Sequence, residues 1–149
     1  MSEYTNQYLA TTVHSASPEQ LMLMLYDGAI RFLSLGIQAI DNGVIDKRAY
    51  YINRASAIVA EFAATLDHKQ DAQLAENLDA LYAYMLRRML QANLKNDPAP
   101  LLEVKHLLTD LRTTWAQAIE LNKQELRDAA TIGVLDKPLP TYHPLAVAM

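Results

Sequence analysis

The sequence predicts an all-α protein: an antiparallel four-helix bundle with a short fifth helix, an N-terminal arm and an irregular, proline-containing C-terminal tail. Three observations carry this. Apolar residues recur at helical spacing in four segments of about 20–25 residues each. Breaks rich in Pro, Asn, Asp and Gly separate those segments. The chain, 149 residues long and 51% apolar, can bury one sizeable core and has little room for a second. Short connections between helices of this length make neighbours run antiparallel.

Residues 1–16 are polar, with intermittent Tyr4, Tyr8, Leu9 and Val13 and no sustained period, and read as an extended arm. The first helix, from Pro18 to Asp41, opens with Ser17 as N-cap, Pro18 at the first helical position and Gln20 to close a capping box. Gly43 supplies the residue type that tolerates a left-handed conformation after a last turn. The second helix runs from about Asp46 to Leu66, with Ile45, Ala49, Ile52, Val59, Phe62, Ala63 and Leu66 at helical spacing. Residues 67–71 form a turn, and Asp71 is a candidate cap for the third helix. That helix reaches about Asn96 and buries Leu74, Leu78, Leu81, Tyr82, Met85, Met89 and Ala92. Asn96, Asp97, Pro98, Ala99 and Pro100 make a strong break and a helix entry. The fourth helix, from roughly Ala99 to Leu121, repeats Leu101, Val104, Leu108, Leu111, Trp115 and Ala118. A short fifth helix is expected around residues 124–131, ended by Gly133. Pro138, Pro140 and Pro144 keep the tail from being a regular helix. The division is therefore arm 1–16, helical domain 17–132 and tail 133–149.

Two helices carry more apolar surface than one buried face requires. On the first, Leu21, Leu25, Ala29, Phe32 and Ile40 share one side, and Leu23, Tyr26, Ile30, Leu33 and Ile37 continue the arc. That arc is roughly 200° wide, twice the ~100° stripe of an ordinary surface helix. Asp27, Arg31, Ser34 and Gln38 form its wet edge, with Asp27 and Arg31 spaced to pair across one turn. On the third helix, Ala83, Leu86, Leu90 and Leu94 form a second stripe, turned by roughly 100° from the core stripe. Leucines uncovered at successive turns make an adhesive patch. Either the arm, the fifth helix or the tail covers them permanently, or they form a groove for amphipathic helices of a partner.

Composition excludes several function classes. A net charge of −4 argues against nucleic acid, which needs clustered Lys and Arg. Lys47, Arg48, Arg54, Arg87 and Arg88 are scattered and read as solvated helix faces. The absence of cysteine suits a reducing cytosol. The first residues lack the basic start and apolar core of a secretory signal, and no apolar run is expected to span a membrane, so a soluble cytoplasmic protein is expected.

Catalytic and metal chemistry is not expected. Glu103 and His106 read Glu-x-x-His, but di-iron bundles need a second copy and two more inward carboxylates. Both residues also fall off the buried face of their helix. His14, His68 and His143 have no metal-ligand spacing, and no phosphate loop or nucleophile elbow is present. Ser34 and Ser56 read as helix-surface or packing residues. The eight tyrosines suit interfaces, although Tyr82 matches the core stripe and should be buried with a satisfied hydroxyl. The methionines, among them Met22, Met24, Met85 and Met89, are mostly core filler.

Three runs carry a resemblance to a known family: SPEQLMLMLYDGAIRFL at 17–33, NLDALYAYMLRRMLQANLKND at 77–97 and LLTDLRTTWAQAI at 107–119. They resemble the flagellin-specific export chaperones of the FliS family, and residues 1–16 and those beyond Leu121 match weakly or not at all. The resemblance implies a cytoplasmic chaperone without cofactor or metal. It implies binding to the disordered C-terminal segment of flagellin, which folds into helices around the bundle. Premature polymerisation would thereby be blocked and delivery to the flagellar type III export gate supported. The client groove would comprise Leu23, Tyr26, Ile30, Leu33, Ile37, Ala83, Leu86, Leu90 and Leu94. By position, Tyr8, Leu9 and Val13 of the arm would cover it. Self-association is left open. The alternative is a non-chaperone adaptor bundle that binds a folded partner through the same stripes.

Overall fold

Ser17 starts the first helix as expected. Its side chain accepts the backbone N–H of Gln20 at 3.2 Å, and its own N–H donates to the Gln20 side chain at 3.0 Å. The computed structural model describes residues 15–133. Four helices fill this range: α1 (Pro18–Asp41), α2 (Ile45–Ala64), α3 (Ala72–Lys95) and α4 (Ala99–Thr131). Gly43 takes the left-handed conformation, φ 70°, that ends α1 and turns the chain into α2. Asp71 caps α3 by accepting the N–H of Leu74 at 3.0 Å, and Asn96 ends it in the left-handed region. The Asp97 side chain accepts the N–H of Ala99 at the entry to α4.

Each helix packs beside the next, and α4 returns beside α1, so α1 and α3 face each other across the core. Cross-helix pairs show the antiparallel sense. Arg48, early in α2, donates to Asn93 and Asn96 at the end of α3, and Tyr26, early in α1, stacks on Phe62, late in α2. The closest backbone approach is at Gly36. A Cβ there would lie 3.4 Å from Leu101 of α4 and 3.5 Å from Ile52 of α2, so the missing side chain lets α1 sit deep between its neighbours.

Two expectations about elements are corrected. The fourth and fifth helices are one: α4 runs unbroken for 33 residues and ends at Gly133, whose φ is 72°. Asn122 and Lys123 contain no helix breaker, so nothing interrupts the hydrogen-bond ladder there. Within α1 an 18-residue window is long and apolar enough, by composition, to cross a bilayer, although no unbroken apolar run is present. A core helix meets the same test by composition, and α1 supplies Met22, Tyr26, Ala29, Leu33 and Ile40 to the core.

Candidate functional site

Four aromatic residues, one from each helix, set the geometry around which any surface site is arranged. Tyr26 of α1 stacks on Phe62 of α2 with ring centres 4.4 Å apart, and Phe62 lies 5.8 Å from Tyr82 of α3. The Trp115 indole N–H of α4 donates to the Tyr26 hydroxyl oxygen at 2.9 Å. The Tyr26 and Tyr82 hydroxyls share a 2.7 Å hydrogen bond. Burial is the main cause that pushes both phenols above their ordinary pKa, because a phenolate there would lose its water. Tyr82 is thus buried with a satisfied hydroxyl, as its position in the core stripe predicts.

This hub corrects part of the groove expected on α1. Tyr26 and Leu33 are fully buried in the core and present nothing to a partner. They lie in the middle of the apolar arc, and the bundle axis passes through that middle. Leu23, Ile30 and Ile37 are half-buried on one flank and pack against the core with only part of their surface. The other flank, Leu25 and Phe32, lines a cleft of about 300 Å³ with Arg54, Ala57, Ile58 and Glu61 of α2. The Arg54 guanidinium covers the Phe32 ring at 5.6 Å. Sequence reasoning placed Leu25 and Phe32 on one side of the apolar arc, outside the expected groove, and missed this cleft. The width of the arc was the signal, since a 200° stripe must leave both edges partly open.

On α3 the second stripe is graded. Ala83 and Leu86 are half-buried, and Leu86 packs against the core. Leu90 is 58% exposed and Leu94 77%. The two expected stripes are not brought together. Because α1 and α3 are diagonal, Leu23, Ile30 and Ile37 flank α4, where Asp27 of the same turns pairs with Arg112. Leu86, Leu90 and Leu94 flank α2, as the contacts of Asn93 with Arg48 and of Met89 with Ser56 show. They are two surfaces on opposite sides of the bundle. Tyr8, Leu9 and Val13, the expected cover, lie outside the described residues.

The charged residues also differ from their expected pairing. Asp27 does not pair with Arg31 along α1. It accepts from Nε and Nη2 of Arg112, on α4, at 2.6 and 3.1 Å. The Arg112 guanidinium presents Nε and Nη2 together to the two carboxylate oxygens, the bidentate arrangement that suits a carboxylate. Glu103 lies off the buried face of α4 and accepts from the Tyr84 hydroxyl at 2.5 Å and from Arg88 Nε at 2.9 Å. The Tyr84 hydrogen bond first, and Arg88 second, holds its carboxyl below the usual range. His106 is 3.3 Å from Asp110 on the surface. No cluster of three or more candidate metal ligands occurs among the described residues. Ser34 bonds the carbonyl of Ile30, and Ser56 the Met89 sulfur.

The described residues thus form an all-α helical bundle with a closed aromatic core and apolar side chains left exposed on its flanks. The family model described as "Flagellar protein FliS" matches residues 1–122. The flagellar secretion chaperone FliS of Bacillus subtilis is 37% identical over 126 residues, covering 85% of this chain and 93% of the relative. FliS of Salmonella typhimurium is 36% identical over 115 residues, covering 76% and 85%. The flagellar secretion chaperone FliSB of Pseudomonas aeruginosa is 31% identical over 115 residues, covering 77% and 91%. The chain belongs to the FliS family of flagellar secretion chaperones, which is not a family of enzymes.

Proposed function

We propose that this protein is a cytoplasmic chaperone for flagellin, holding its disordered C-terminal segment, preventing premature polymerisation and supporting delivery to the flagellar type III export apparatus. The observation that carries the reading is the exposed leucine pair on α3, Leu90 and Leu94, in a chain of this family. Exposed leucines one turn apart are costly to keep in water unless a partner covers them. Flagellin polymerises by pairing its terminal segments with those of neighbouring subunits, so a chaperone that occupies one terminus blocks assembly. The two apolar flanks lie on opposite sides, which a disordered segment can reach by wrapping and a single folded helix cannot. Ordering such a segment buries on the order of 1,000–3,000 Å² and costs several kcal/mol, leaving an affinity that still permits release at the export gate.

Circular dichroism of the protein mixed with a flagellin C-terminal fragment tests this. Helicity should exceed the sum of the separate components. Binding, shown by calorimetry, without any gain in helicity would instead favour an adaptor for an already folded partner.

A further inference from the structure

The flank of α1 that faces α4 differs from the leucine flank of α3 in one respect: an ion pair spans it. Asp27 lies on the wet edge of α1 beside Leu23 and Ile30, and Arg112 reaches across to it from α4. Both side chains remain partly open to solvent, at 54% and 36% exposure. Arg112 spends one N–H from Nε and one from Nη2 on Asp27, which leaves three donors without a partner among the described residues. Lys105 stands two turns before Arg112 on the same side of α4, half-buried and without an ion pair among the described residues. Arg31 is exposed on the α1 rim one turn beyond Asp27. The central turns of this flank therefore combine an apolar floor with a rim on which positive charge outnumbers negative.

We propose that this flank receives an amphipathic helix of the client whose side carries a carboxylate, which Arg112 reads with its free donors while Asp27 holds the guanidinium in place. The inference rests on the reading of the protein as a flagellin chaperone. Arg112 is a binding residue on this account, and Asp27 a positioning residue. A fixed planar guanidinium loses less freedom on meeting a carboxylate than a free one, and charge-assisted hydrogen bonds are the stronger kind.

The test exchanges the pair, Asp27→Arg with Arg112→Asp, in the full chain. The melting midpoint and the affinity for the flagellin C-terminal segment are measured at low and high salt. The exchanged pair should still join α1 to α4 and keep the midpoint close to wild type. Affinity should fall by about tenfold or more, the worth of one charge-assisted contact. Wild-type affinity should weaken with salt, and that dependence should be smaller in Arg112→Gln, which removes one positive charge from the flank, whereas the exchanged pair keeps its net charge. Neutralising the carboxylates of the segment should weaken wild-type binding and add nothing to the loss in the variant. Arg112→Gln, at a half-exposed position, gives the same affinity reading if the exchanged chain does not fold. Wild-type affinity retained in the exchanged variant overturns the inference and leaves the pair as a staple between helices. A shifted midpoint that disappears on removal of residues 1–14, with affinity unchanged, also overturns it, because the chain's own arm would then occupy the flank. Absence of any wild-type binding removes the flagellin reading itself, and the inference with it.

Discussion

Met85 and Leu90 lie five residues apart on α3 and are close in hydrophobicity, yet Met85 is fully buried and Leu90 is 58% exposed. The stripe Leu78, Tyr82, Met85, Met89 faces the diagonal helix α1 and closes on the aromatic hub. The stripe Leu86, Leu90, Leu94, rotated by roughly 100°, reaches only the edge of α2. Leu86 still touches the core, and the two later leucines extend past it. The difference lies in whether another helix stands opposite. An apolar stripe that meets its own bundle is structure, and one that does not is the surface proposed above for the client.

The largest expected effect separates these stripes at Leu78. It is 4% exposed, and an aspartate there would be buried among apolar side chains without a counterion. Leu78→Asp should cost more than about 4 kcal/mol and abolish the cooperative melt. Retention of a wild-type melting curve would mean that the core stripe of α3 is misplaced.

A smaller effect is expected within the hub. Tyr26→Phe removes the acceptor of the Trp115 N–H and the partner of the Tyr82 hydroxyl together. Leaving such groups unpaired should cost about 1–3 kcal/mol, whereas Tyr82→Phe, which spares the Trp115 bond, should cost less. Equal losses would show that the Trp115 bond contributes nothing. The hub also sets an alkaline limit. Burial raises the pKa of both phenols in the folded state. The unfolded chain therefore releases its protons first as pH rises. The stability held by these neutral phenols is complete below about pH 10, the unfolded value, and declines above it. Melting midpoints taken from pH 8 to 11 should be flat and then fall, with a shallower fall in Tyr82→Phe.

Most of the fold was legible because its signals are local. The Ser17–Gln20 capping box, the Asp71 cap and the break at Pro98 depend on a few neighbouring residues, and each forms as read. The site was less legible because it depends on what stands opposite each helix. Periodicity gives the angle of Leu23 relative to Tyr26 but not where the bundle axis crosses α1. Tyr26 and Leu33 were accordingly placed on the surface although they hold its centre. The order of helices around the core, which sets α1 diagonal to α3, leaves no mark in either helix. The partner of Asp27 is 85 residues away on α4, so the nearer Arg31 was the natural choice from spacing alone.

The smallest effect on stability is expected at the open stripe, where the comparison is sharpest. Leu90→Lys with Leu94→Lys replaces two exposed leucines, and lysine suits the last turns of α3 because the helix carries partial negative charge at that end. Lysine is also a good helix former, so neither substitution disturbs the backbone. Helical signal and unfolding free energy should remain within about 0.5 kcal/mol of wild type. Affinity for the flagellin segment should fall at least about thirtyfold, since two ammonium groups would be desolvated against an apolar partner face. Both measurements on the one variant decide between the two roles. A double variant that melts like Leu78→Asp would make this stripe part of the core, covered by residues of the chain itself. Wild-type stability with undiminished affinity would place the client elsewhere, on the α1 flank or at the Phe32 cleft.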